Sequence, residues 1–136
     1  MSQKTQKQQV GKLGEDLACR FLVKNGYEIL ERNYLQKCGE IDIITKKANI
    51  LHFVEVKSVS RENINDVSDR EYRPEDNLHP WKLERLSKTI QVYLTSKEIS
   101  LASQANETEW QFDVITVYID IKNKVSRVNF LKNIVL

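Results

Sequence analysis

Glu40-Ile41-Asp42-Ile43-Ile44-Thr45 and Leu51-His52-Phe53-Val54-Glu55-Val56-Lys57-Ser58 are two short runs rich in Ile, Val and Phe, separated by Lys46-Lys47-Ala48-Asn49. β-Branched and aromatic enrichment on either side of a polar tip predicts a β-hairpin. Successive strand side chains point to opposite faces. Glu40, Asp42 and Ile44 therefore share one face of the first strand, and Phe53, Glu55 and Lys57 share one face of the second. Four ionisable residues thus sit on strands that otherwise read as buried. Whether they meet depends on the turn. A tip with an even number of residues pairs Thr45 with Ile50, for example, and then Asp42 faces Phe53, Glu40 faces Glu55, and Asp42 and Glu55 are diagonal neighbours about 7–8 Å apart. An odd turn sends the two acids to opposite faces.

Outward from the hairpin, apolar or small residues at Gly14, Leu17, Ala18, Phe21 and Leu22 have helical spacing and stop at Asn25-Gly26, which predicts a first helix over 11–25. Tyr27–Asn33 and Gln111–Ile121 read as two more strands. Pro80 opens a helical pattern through Leu83, Leu86, Ile90, Tyr93 and Leu94, placing a second helix over 80–97 and suggesting a βαβ crossover. Residues 125–134 fit either a last edge strand or a short helix. Residues 58–80 have few apolar side chains and no period, and read as a long loop. The expected fold class is α/β, a central mixed β-sheet flanked by α-helices, with a flexible tail over 1–10 and one domain over 11–136.

The 136 residues, 40% hydrophobic and 29% charged, suit one soluble core, and no stretch approaches a membrane span or a signal peptide. A cytoplasmic location with no membrane partner is the expectation. Cys19 and Cys38 lack the paired spacing of a zinc site and read as reduced thiols. The net charge of +2 neither demands nor excludes nucleic acid, and acid is concentrated in 61–80, which holds six of the 19 Asp and Glu residues.

Two carboxylates converging from adjacent strands repel each other, and burial disfavours both charges. A divalent cation removes the conflict. Mg²⁺ or Mn²⁺ takes one or two carboxylates with several waters, and Lys57 on the same face could orient an attacking water or offset developing charge. The competing reading is a partly exposed strand end carrying a Glu–Lys pair. Asp120-Ile121-Lys122 repeats the short acid-x-Lys pattern but lacks a preceding acidic strand, and reads as a solvated strand end. Glu15 falls at the edge of the first helix's apolar stripe, with Asp16 pointing nearly opposite; it either reaches the sheet or is a first-turn acid favoured by the helix dipole.

Gly11 to Ala18 (GKLGEDLA), Gly26-Tyr27, Asn33-Tyr34, Gly39-Glu40-Ile41-Asp42, Phe53-Val54-Glu55-Val56-Lys57, Lys82 with Arg85-Leu86, and Phe112-Asp113-Val114 together resemble the YraN family of uncharacterised bacterial proteins over roughly residues 11–118. That family resembles Holliday-junction resolvases and the PD-(D/E)xK nucleases with their restriction-endonuclease-like fold. The resemblance implies that Asp42 and Glu55 are metal-binding acids, the Val56 carbonyl an extra ligand and Lys57 the catalytic lysine. It also implies that Glu15 supports the metal or its water and that Glu40 is a supporting acid. The implied activity is Mg²⁺- or Mn²⁺-dependent cleavage of DNA, structured or branched, by a homodimer. The chain departs from the superfamily pattern at Ile41, where a proline is usual, and from the family at Ser58-Val59 and the acid-rich segment beyond.

Lys82, Arg85 and Lys88 form a basic strip that either touches phosphate or is simply solvated. His52 alternates away from Glu55 and reads as structural. His79 reads as a helix start or as a loop histidine near the site, and Trp81 and Trp110 as core or element-edge aromatics. The rival function is a non-catalytic nucleic-acid-binding protein that keeps the fold; a third is a partner-binding module using 58–80.

Overall fold

Residues 5–60, 79–96 and 109–136 are described by the computed structural model. The order is α1 (Gln6–Lys24), β1 (Glu28–Gln36), β2 (Gly39–Lys47), β3 (Ile50–Ser60), α2 (Pro80–Ser96), β4 (Glu109–Asp120) and β5 (Val125–Leu131). Strands follow chain order across one five-stranded sheet; β3 and β4 are parallel and the other neighbours antiparallel. The α/β class, the mixed sheet and the crossover through α2 are as expected. The segment from 125 is an edge strand, which settles that alternative. Most of the expected 58–80 loop lies outside the described residues, and β3 continues to Ser60.

The first helix starts earlier than the spacing predicts, so the flexible tail does not reach residue 10. Thr5 is the reason: its hydroxyl accepts from the Gln8 N–H at 3.1 Å while the Gln8 side chain accepts from the Thr5 N–H at 2.9 Å, a reciprocal cap. Val10, one turn in, is already buried.

Among the described residues, each face of the sheet carries one helix. Ala18, Cys19 and Leu22 of α1 pack with Ile43, Val54, Ile115 and Val117. Leu86, Ile90 and Tyr93 of α2 pack with Ile41, Ile44, Phe53, Phe112 and Val114 on the other. Gly14 seats α1 on β3: a methyl group there would lie 1.8 Å from the Ser58 Oγ, so only a bare backbone fits.

The β2–β3 turn is tighter than the four-residue tip considered from sequence. Ala48 and Asn49 adopt φ of 51° and 64°, and Lys47 pairs with Ile50. Left-handed conformation at both central positions matches the twist of a two-residue hairpin turn, and asparagine tolerates it well. Parity is preserved, so Asp42 and Glu55 remain on one side, but the register moves by two. Ile44 faces Phe53, the ladder stops one pair further at Ile43↔Val54, and Asp42 feels the charge of Glu55 more strongly than that of Glu40.

Candidate metal centre

The β2–β3 ladder ends at Ile43↔Val54. Beyond it the Asp42 side chain takes the place of a ladder partner, its Oδ2 accepting from the Val56 N–H at 2.8 Å. The strands also roll here. Ile41 and Ile43 are two residues apart yet bury on opposite faces, as do their β1 partners: Tyr34 lies with the α2 layer, while Arg32 reaches the α1 residue Glu15. Asn33, between those partners, has φ 52°. Its left-handed backbone turns β1 over at the level of Asp42.

The roll gives Asp42 access to both faces. A cleft of about 570 Å³ on the α1 side is lined by Glu15, Asp42, Val56, Lys57 and Ser58 among others. A second of about 410 Å³ on the α2 side is lined by Glu40, Asp42, Glu55, His79, Trp81, Lys82 and Arg85 among others. Glu55 Oε1 lies 3.2 Å from both Lys57 Nζ and Lys82 Nζ.

Burial, and after it the negative charge of Glu55, pushes the Asp42 pKa up to about 8; Glu15 and Glu40 add to the rise and the Val56 N–H opposes it. Burial alone would lower the Lys57 pKa. The Glu55 and Asp42 carboxylates outweigh it and hold the ammonium above its ordinary value. Two acids and a lysine thus converge at the open end of a hairpin, where burial and the charge of Glu55 keep the Asp42 carboxyl protonated up to about pH 8.

Glu15 does reach the sheet side. Its Oε1 accepts from Arg32 Nη2 at 3.0 Å, Arg32 Nε at 3.2 Å and Asn33 Nδ2 at 2.9 Å. Asp16 does not point away, because the long Arg32 side chain reaches it too, at 2.8 Å, and that hydrogen bond pulls the Asp16 pKa down. Glu40 lines the opposite cleft from Glu15, and Asp42 lines both. Of the basic strip, Lys82 and Arg85 line the α2-side cleft. Lys88 does not; it pairs with Glu84 at 3.5 Å and borders a different hollow.

Arg32 and Asn33, which hold Glu15, escaped the sequence reading. Asn33 stands among the residues that carry the family resemblance, and an asparagine inside an apolar strand was the available signal for a left-handed residue. Arg32 gave none. His52 is structural as read, and the His79 carbonyl accepts from the Lys82 and Leu83 N–H groups to start α2.

Among the described residues no three carboxylate, imidazole or thiol groups could hold an ion by themselves. A two-carboxylate set completed by a carbonyl and water nevertheless fits Mg²⁺ or Mn²⁺. The Asp42 carboxyl, held protonated by burial and by the neighbouring Glu55 charge, is the group such an ion would let ionise. No helix among the described residues is long and apolar enough to cross a membrane.

The model of an uncharacterised protein family, UPF0102, matches residues 14–117. A UPF0102 protein of Campylobacter jejuni is 40% identical over 120 residues, 88% of this chain and 93% of its own. One from Campylobacter jejuni subsp. doylei is 42% identical over 120 residues with the same coverage. One from Caldicellulosiruptor saccharolyticus is 35% identical over 127 residues, 93% of this chain and 97% of its own.

Proposed function

This chain belongs to the uncharacterised family UPF0102, the YraN family of the resemblance drawn from sequence, and we propose that it is a divalent-metal-dependent nuclease acting on DNA phosphodiester bonds. The observation that carries this reading is the half-buried Asp42 carboxylate, set between Glu55 and the Val56 N–H, beside Lys57 and open to two clefts. A purely structural acid would gather donors instead. We read the mixed sheet with its parallel crossover as a restriction-endonuclease-like core spanning one domain.

Asp42, Glu55 and the Val56 carbonyl would hold Mg²⁺ or Mn²⁺, which when bound polarises phosphate and acidifies a water. Lys57, kept charged, supplies a fixed positive group to the negative charge that builds on the phosphate as it is attacked. Glu15, locked by Arg32 and Asn33, sets the acidic wall of the α1-side cleft, and Glu40 that of the other. Lys82 and Arg85 bring positive charge to the strand-binding side. A homodimer, placing two such sites on a branched DNA, belongs to the same reading.

The test is cleavage of labelled linear, single-stranded, flapped and four-way-junction DNA in Mn²⁺ and in EDTA. Activity that needs metal and falls about 10²- to 10³-fold in both Glu55→Ala and Lys57→Ala supports the nuclease. One observation favours the non-catalytic binder as the second reading: Glu55 Oε1 is already held by two lysines. Binding without cleavage of any substrate, equal in wild type and both variants, would establish it.

A further inference from the structure

Trp81 stands on the rim of the α2-side cleft with 59% of its surface exposed, a large aromatic left in water at the first turn of α2. It is at an element edge and outside both cores. Its neighbours are arranged around its ring. The His79 imidazole lies nearly parallel, planes 4° apart and centroids 6.4 Å apart. The Arg85 guanidinium sits 5.9 Å from the indole centroid and is tethered by its Nε to the Cys38 carbonyl at 3.2 Å. Lys82, the next residue, reaches inward to Glu55 at 3.2 Å. An exposed aromatic, flanked by two cations, thus borders the cleft that contains the two acids.

Cations recognise phosphate, but a flat ring recognises another flat ring. In a duplex the bases cover one another's faces and offer only their edges; an unpaired base offers its face, and stacking on an aromatic is tolerant of base identity. The rim beside Trp81 is polar and charged, which suits a nucleic-acid strand better than an apolar protein partner.

We propose that Trp81 is a stacking platform for an unpaired base, so that the strand entering this cleft is single-stranded or frayed beside the bond presented to Asp42 and Glu55. The inference deepens the nuclease reading, on which it rests for the fate of the strand.

The test is equilibrium binding in EDTA, where no metal-dependent cleavage intervenes. The full chain is titrated against a fluorescein-labelled mixed-sequence single strand and a blunt duplex of the same sequence at one ionic strength. The single strand is expected to bind about tenfold more tightly than the duplex, with Trp81→Ala losing about tenfold on the single strand, Trp81→Phe retaining most of the affinity, and duplex affinity changing by less than about twofold. Unlabelled single strand should quench the indole emission of Trp110→Phe but not of Trp81→Phe. Unchanged thermal melts show that the variants fold. Equal affinity for both DNAs, unchanged affinity of Trp81→Ala, or no binding of either DNA overturns the proposal. Parallel assays in Mn²⁺ separate the two readings. Trp81-dependent binding without cleavage would sink the nuclease and leave the platform; cleavage with Trp81-independent binding would do the reverse.

Discussion

Asp42 and Asp113 are both aspartates within apolar strands, on β2 and β4 either side of β3, yet they are treated in opposite ways. Asp113 is fully buried and surrounded by donors: His52 Nδ1 at 2.6 Å to one oxygen, Gln111 Nε2 and the Asn133 N–H, each at 2.8 Å, to the other. Asp42 has the Val56 N–H on one oxygen and a second carboxylate beside it. A buried acid that collects its donors braces the fold; one left with a like-charged neighbour at the mouth of a cleft is set up to bind something. Asp113 shows what this chain does when it buries a carboxylate for stability alone. The Asn133 N–H on Asp113 and the Ile134 N–H on the Phe112 carbonyl together staple the segment after β5 to β4.

The largest expected effect tests the structural half of this contrast. Asp113→Asn leaves one oxygen to accept from Gln111 and Asn133 but turns an NH2 donor toward His52 Nδ1 in place of an accepting oxygen, so urea unfolding should report a loss of about 1–3 kcal/mol. The same change at Asp42 should not. With no metal present, Asp42→Asn should leave stability unchanged or raise it by about 1 kcal/mol, the usual relation between a strained functional group and its neutral replacement. Equal losses at the two positions would erase the distinction and make Asp42 structural.

The pH dependence sharpens the comparison. An unfolded aspartate loses its proton near pH 3.9, whereas Asp42 in the folded chain keeps its proton to about 8. Between those values the folded state binds more protons than the unfolded one, so this group's contribution to stability is present at low pH and is lost as pH rises toward 8. Asp42→Asn should therefore gain on wild type from pH 5 to pH 8 in metal-free urea melts, and a constant gap would show that Asp42 ionises normally. Metal binding near pH 7 must also expel that proton. Calorimetric Mn²⁺ titrations in buffers of different ionisation enthalpy should register its release in wild type and nothing in Asp42→Asn.

Much of this was legible in the residues. Period-two alternation with Ile and Val gave the hairpin and its acids, and period-3.6 spacing gave both helices, because each of those elements buries one face against the sheet. The sequence left the parity of the turn open, and the even, two-residue tip of the structure is the parity that keeps Asp42 and Glu55 on one side. Alternation could not separate Asp42 from Asp113, since the donors that satisfy Asp113 come from Gln111, His52 and Asn133, brought together by strand pairing and the fold of the C-terminal segment. Nor could it show the roll at Asn33 and Asp42, which breaks the very alternation being read. The Arg32 link to Glu15 spans 17 residues and depends on how α1 crosses β1, a property of three-dimensional packing.

The smallest effect concerns two lysines that sequence spacing grouped together. Steps of three residues each fall about 60° short of a full helical turn, so Lys88 lies about 120° around α2 from Lys82. Lys82 meets Glu55 in the cleft, while Lys88 meets Glu84 with both side chains about two-thirds exposed, at 65% and 70%. Such an exposed i,i+4 pair is worth at most about 0.5 kcal/mol. Lys88→Ala should therefore scarcely alter stability, and should leave both DNA affinity and its dependence on salt concentration as in wild type. Lys82→Ala should lower the affinity severalfold and reduce the salt slope by about one unit, as expected for one lost phosphate contact. Equal losses in the two variants would mean that bound DNA runs along the whole helix and not through the cleft beside Asp42, and the contrast between the two aspartates would then lose its functional half.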